Sequence, residues 1–406
     1  MNRAKKLQIT GFTAFFLSGI CAISSSVIVS VLQETYGFSF GTTGTLLSAM
    51  SIGNMVASFA AGLLPSKIGT RNTVALLCFG YFLGYLMMTA SGVAAFLMLA
   101  FFIVGLAKGC TINTCTVMVG DNSPDRTRGM NIMHACYACG ALICPFLISV
   151  LLVRGAKLPL IAIALLGLVL WAVLLSAGLP GRAAERANKQ SVPLDFLRSK
   201  KFWLLTALVF CQNAAETSVT GWLVTYFRNQ QILSGTLSTY TVTIMWGATL
   251  IARLLIAFVF PIKDTFKALA GMGLLCTILY GAMVFSATPV MAVVLLFAFA
   301  FAMAGVNPVA IAGTGRIMNA TSMGVLLPIS SLGAIIMPWI IGMVADSVSL
   351  HAGMLCNLVP CAGILVLSLI IRRMEANRCA PRSAPSCWRA TAGSPGFRRA
   401  RRTTPS

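Results

Sequence analysis

The sequence predicts an all-α membrane protein of twelve transmembrane helices arranged as two pseudo-symmetric six-helix bundles. Composition is the first observation: of 406 residues 58% are hydrophobic and only 10% charged, and the mean hydropathy is +0.88. The second is punctuation. Apolar stretches long enough to span a bilayer lie near 9–33, 40–64, 72–91, 94–120, 130–153, 158–179, 202–227, 235–260, 267–287, 289–314, 321–345 and 350–371, divided by short polar breaks. With no water at that depth to satisfy the backbone, each stretch is expected to be helical. The third is an internal repeat. Gly140-Ala141-Leu142-Ile143-Cys144-Pro145 returns as Gly333-Ala334-Ile335-Ile336-Met337-Pro338, 193 residues later. Asn113 and Asn307 keep nearly the same interval, so the chain reads as two related halves.

The first bundle spans 1–179 and the second 202–372, joined by a cytoplasmic linker over 180–201 and followed by a basic, disordered tail over 373–406. A net charge of +21 suits nucleic acid in a soluble protein, but its placement here points to a lipid bilayer as partner and excludes nucleic acid. Arg3, Lys5 and Lys6 precede the first segment, Lys67 and Arg71 follow the second, Arg126 and Arg128 the fourth, Lys263 and Lys267 the eighth, and Arg316 the tenth. Those loops share one face, which places both termini in the cytoplasm. Thirteen cysteines scatter through apolar segments without metal-ligand spacing, so no zinc site, disulfide framework or cofactor is expected. The opening apolar run is too long for a signal peptide and reads as a retained first helix.

Glu216 stands near the middle of the seventh segment, where a carboxylate must be protonated, paired or turned to a wet cavity. Gln212, Glu216 and Thr220 recur every four residues and share one face, a polar stripe. Lys108 is the other charge near the midplane, and it can be read three ways: as a partner to Glu216, as an attractor for an anionic solute, or as a snorkelling chain that its depth disfavours. Asn307-Pro308 is expected to break the tenth segment and line a cavity, with Asn113 as its counterpart in the first half. Ser24, Ser25 and Ser26 fit either that cavity or helix packing. Trp222 and Tyr226 lie toward the outer end of the seventh segment; Trp222 is assigned to the cavity, Tyr226 to the interfacial belt. Arg253 reads as a gate or packing ion pair, and His134 as a residue near the cytoplasmic surface.

The loop Gly62-Leu63-Leu64-Pro65-Ser66-Lys67-Ile68-Gly69-Thr70-Arg71 resembles the signature loop of the major facilitator superfamily, through Gly62, Lys67, Gly69 and Arg71. The family's aspartate is Ser66 here and one basic position is Thr70. Gln212-Asn213-Ala214-Ala215-Glu216, with Trp222 and Tyr226, is similar to the seventh helix of fucose-type sugar:proton symporters, as are Gly105, Gly109 and Asn113 and, in the eighth segment, Trp246-Gly247 and Arg253. The acidic residues that group carries in its first and fourth helices are absent, and Lys108 and Gly109 stand at the relevant depth.

The resemblance implies a secondary transporter, not an enzyme, that moves a small, sugar-like solute by alternating access, coupled to a proton or another ion, as a monomer in the plasma membrane. It assigns Asn113, Gln212, Asn213, Glu216, Thr220, Trp222 and Asn307 to the solute, Glu216 and Lys108 to coupling or a charge pair, and Gly62, Lys67, Gly69, Arg71 and Arg253 to a gate. Alternatives are a multidrug or organic-anion exporter of the same superfamily and a transporter-like nutrient sensor. The fifth segment has Cys144-Pro145 without the paired glycines usual in exporters, and no folded cytoplasmic domain of the kind a sensor needs is visible.

Overall fold

In the computed structural model residues 3–124, 126–179, 195–259, 262, 264–312 and 320–379 are described, and their regular structure is helical throughout. The first half contains α1 (Arg3–Tyr36), α2 (Phe40–Ile68), α3 (Thr70–Cys78), α4 (Gly80–Ala90), α5 (Ala94–Asn122), α6 (Arg126–Leu152) and α7 (Lys157–Ser176). A short 3-10 turn, Asp195–Arg198, leads into α8 (Lys200–Asn229), α9 (Gly235–Phe258), α10 (Thr265–Val284), α11 (Pro289–Met303), α12 (Val306–Ala312), α13 (Ala320–Ser347), α14 (Leu350–Cys356) and α15 (Leu358–Cys379). Among the described residues ten stretches are long and apolar enough to cross a membrane once α3 joins α4, α11 joins α12 and α14 joins α15. With α2 and the more polar α8, packed among them, the expected twelve are accounted for.

The polar breaks between segments act as helix caps. Side chains of Ser39, Ser199, Ser234, Asp264, Thr288 and Ser349 each accept a hydrogen bond from a backbone N–H three residues on, meeting a donor that the first turn leaves open. Burial then sorts the helices. The most apolar stretch of α1 is 89% buried against 39% for α7, so α1 runs through the interior. The exposed Ile161, Leu165 and Val169 of α7 form an apolar outer face suited to lipid.

The pairing of helices obeys the repeat. In the first half α1 packs on α6, α2 on α5 and α4 on α7; in the second, α8 packs on α13, α9 on α11 and α10 on α15. Between halves, α2 meets α13 and α6 meets α9, contacts that exchange under the same two-fold relation. The repeated glycines give this atomic content. A Cβ on Gly140 would strike the carbonyl oxygen of Phe16 in α1, and one on Gly333 would strike that of Phe210 in α8. Only glycine lets these helix backbones approach so closely, a small-residue contact typical of membrane helices.

Two expectations shift. The tenth segment breaks at Ala304 and Gly305 instead of at Asn307-Pro308. Pro308 thus falls in the first turn of α12, where its missing N–H costs nothing. Helix α15 continues to Cys379, past residue 373 at which composition begins the tail, and Glu375 there pairs with Lys201 at the start of α8. Residues 180–194 of the expected linker, Arg316, and the tail from 380 lie outside the described residues.

Candidate functional site

The two halves meet along a seam at the end of the molecule that carries Glu34 and Asp346. The Asp346 carboxylate of α13 accepts the backbone N–H groups of Phe40 and Gly41, at 2.8 and 2.7 Å, at the N-terminus of α2. An anion there meets both open donors and the positive end of the helix dipole. Arg228 of α8 pairs with Glu34 of α1 at 2.7 Å. Deeper in, Ser30 and Thr225 share a hydrogen bond at 2.6 Å, Ser48 donates to the Ile335 carbonyl at 2.7 Å, and Thr243 donates to that of Leu142 at 3.2 Å. A Cβ on Gly342 would lie 2.6 Å from the Phe40 carbonyl oxygen, so α2 and α13 touch backbone to backbone.

Below the seam the polar stripe of α8 becomes a relay. Asn307 of α12 donates to the Gln212 Oε1 at 3.1 Å, and the Gln212 amide donates to the Glu216 carboxylate. The break before α12 frees Asn307 to face α8, and burial of Gln212, 1% exposed, locks the relay between two helices. That hydrogen bond fixes the direction of the Glu216 carboxyl group, whose other oxygen has no hydrogen-bond partner among the described residues.

Around Glu216 stand groups from the other helices. Lys108 of α5 and Tyr137 of α6 lie within electrostatic range of Glu216, and Arg253 of α9 within that of Tyr137. Lys108 has no hydrogen bond or ion pair among the described residues. The Tyr137 ring meets the Trp246 ring of α9 edge to face at 5.5 Å, so this aromatic pair bridges the halves. Trp246 is 6% exposed, and its indole N–H is buried without a partner. Neither Tyr137 nor the free indole was assigned to the site from sequence. The signal available was Trp246-Gly247 in the eighth segment, singled out there only as a family likeness.

The other sequence-predicted residues disperse. Trp222 is fully buried, donating from its indole to the Pro338 carbonyl at 3.2 Å, with its ring 6.2 Å from that of Phe40. The large side chain fills the seam between α2 and α13. Asn213 donates to Ser330 of α13 at 3.3 Å, and Thr220 to the Glu216 main-chain carbonyl at 2.8 Å, so both serve packing on α8. Asn113 donates to Gly109 of its own helix and lines a separate cavity of about 340 Å³ with Arg3, Thr70, Thr73 and Asp121, near the Lys67 end. Arg253 donates to the Ala304 carbonyl at 3.4 Å, at the break before α12. Gly62 lies within α2, and Lys67 and Arg71 are exposed on either side of Gly69. Gly69 has φ 89°, which admits the turn from α2 to α3. His134 of α6 sits edge-on to Phe15 at 5.5 Å.

Residues 11–327 match the family described as Major Facilitator Superfamily. Over 88 residues the chain is 34% identical to the glucose transporter GlcP of Staphylococcus epidermidis, a stretch that covers 22% of this chain and only 20% of that protein. A crystal structure of a mutant of the nucleoside transporter NupG superposes with a TM-score of 0.74 at 16% identity, covering 92% of this chain and 100% of that one. A bacterial homolog to the human lysosomal transporter Spinster, inward-facing and unoccupied, gives 0.76 at 12% identity, covering 95% and 100%. At such identities the likeness is one of fold. Because the family match covers well over half of the sequence, the chain belongs to the Major Facilitator Superfamily of membrane transporters.

Proposed function

We propose that this transporter imports a small, sugar-like polar solute coupled to a proton or another ion, by alternating access of its halves about Glu216. The observation that carries the reading is the Asn307–Gln212–Glu216 relay. It holds the carboxylate at mid-span of α8, within reach of the charge of Lys108 across the halves. A fixed carboxylate with one free oxygen can bind a solute hydroxyl or a proton, and either changes its electrostatic relation to Lys108 as the halves rock. The local identity with a glucose transporter and the fucose-type pattern of α8 favour a sugar-like solute. In this reading the basic loops face the cytoplasm of a plasma-membrane protein acting as a monomer, the halves span 1–179 and 202–372, and Lys67, Arg71 and Arg253 act at the inner gate.

The test is uptake by proteoliposomes with an imposed pH gradient across a sugar panel. Glu216→Gln keeps the shape and removes the charge, so it is expected to abolish gradient-driven accumulation while solute exchange persists, because exchange needs only binding and rocking. Normal gradient-driven accumulation by this variant would sink the coupling role.

A further inference from the structure

Three helix ends of the second half are drawn together around Lys201. Its ammonium, in the first turn of α8, pairs with Glu375 near the end of α15 at 2.5 Å and lies 5.2 Å from the centroid of the Phe266 ring at the start of α10. Asp264 caps α10 with one carboxylate oxygen and meets Arg372 of α15 with the other, at 3.8 Å. Together with the 3-10 turn Asp195–Arg198, these ends carry six basic residues against three acids, Asp195, Asp264 and Glu375. With Lys201 and Arg372 engaged, Arg198, Lys200, Lys267 and Arg373 stand exposed. Their side chains take part in no ion pair or hydrogen bond among the described residues.

An apolar surface adjoins these charges. Trp203 is 45% exposed, and its indole donates to the Leu197 carbonyl of the 3-10 turn at 2.8 Å. Its ring meets that of Phe202 edge to face, and Phe202 in turn packs on the buried Phe196 at 4.9 Å. The turn and the start of α8 are therefore one unit, which presents Trp203 and the half-exposed Leu197 beside Arg198 and Lys200. Because α10 and α15 begin and end membrane-crossing stretches here, this unit stands at the boundary between lipid and water. At that level an indole ring lies among acyl chains and glycerol, and cations lie among phosphates. An acidic soluble partner would meet the charges alone, whereas a lipid meets the charges and the ring together.

We infer that this rim is a binding surface for anionic phospholipid, with phosphate headgroups along Arg198, Lys200, Lys267 and Arg373 and acyl chains against Trp203 and Leu197. The surface stands apart from Glu216, so its test leaves the proposed transport function untouched.

The test uses the full-length protein in phosphatidylcholine vesicles that hold a minor fraction of chain-brominated phosphatidylglycerol or, in parallel, chain-brominated phosphatidylcholine. Quenching at Trp203 is read as the difference in emission between the unsubstituted protein and Trp203→Phe. Phosphatidylglycerol is expected to associate there about five- to 30-fold more strongly than phosphatidylcholine, at about fivefold for each cation in contact. Arg198→Gln combined with Lys200→Gln changes only exposed side chains, so the protein keeps its thermal stability, and the preference falls about fivefold or more. Lys157→Gln, which removes an exposed charge beside Tyr36 at the other end of the molecule, leaves the preference unchanged. Equal quenching by the two lipids would overturn the inference, as would a preference that survives the double substitution. A preference that Lys157→Gln lowers as much as the double substitution would also overturn it, because net charge and not this rim would then attract the lipid.

Discussion

The two ends of this molecule are built by different means. At the Asp346 end the halves are joined by a helix cap, an ion pair, buried hydroxyls and a backbone contact through Gly342. Toward the Lys67 end lies a cavity of about 340 Å³ whose described lining residues all belong to the first half, and Lys67 and Arg71 stand exposed. The difference teaches what a reversible seal is made of. Alternating access needs two conformers within a few kcal/mol of each other. No component of the seam is strong alone: a cap is worth about 1 kcal/mol, an exposed ion pair about 0.2–1, and a hydrogen bond between membrane helices about 0.6. A seam assembled from such parts holds as a set, and no single contact in it would present a large barrier to opening.

The largest effect is expected where the backbones are denied their contact. Gly342→Val places a branched side chain where even a Cβ would lie 2.6 Å from the Phe40 carbonyl oxygen. Overpacking of this kind costs about 1–3 kcal/mol, and the strain is relieved when α2 and α13 part. The expected outcome is a molecule accessible at the Asp346 end. Leu47 of α2, 3% exposed and set against Gly221 of α8, reports on it. A cysteine at position 47 should react with an impermeant maleimide about 5- to 150-fold faster with Gly342→Val than without. An unchanged rate would mean that the seam yields locally and is not the gate.

Removing one polar component sharpens the comparison with a smaller effect. Asp346→Ala leaves the N–H groups of Phe40 and Gly41 to water, at about 1 kcal/mol, and should speed the same labelling about fivefold. Arg228→Gln acts on a pair whose Glu34 is 57% exposed, so its effect is expected to be smaller and to vanish in high salt. If the two variants are equal at all salt concentrations, the helix cap is not a distinct element of the seal.

Much of this was legible in the sequence, and the remainder has a physical reason for being hidden. Hydropathy and the Gly140/Gly333 repeat identified the segments and halves, because lipid demands long apolar runs and close helix packing demands glycine at matched places. Gln212, Glu216 and Asn307 were legible because polar groups at membrane depth are rare, and the structure joins them. Trp222, read from sequence toward the cavity, lies buried in the seam. Where helices are apolar on every side, sequence does not say which face meets a neighbour, and a residue near the cavity helix turns into the seam with a rotation of one position. Asp346 was missed for a related reason: it gains its meaning from the start of a helix 306 residues away.

The smallest effect is expected at the Lys67 end, and it tests whether the asymmetry is a property of this conformer. The signature-loop resemblance assigns Lys67 and Arg71 to a gate, yet both are exposed on either side of Gly69. Neither takes part in an ion pair or hydrogen bond among the described residues. A surface charge without partners contributes within about 0.5 kcal/mol to the conformer it stands in. Lys67→Gln should therefore leave labelling at position 47 within about twofold of the unsubstituted chain. The gate role that the signature-loop resemblance implies would act in a conformer that brings this loop to the second half. Transport turnover is then expected to change while resting accessibility does not. A Lys67→Gln protein that labels as fast at position 47 as Gly342→Val would show that the loop already holds the halves together here, and the contrast between the two ends would fall.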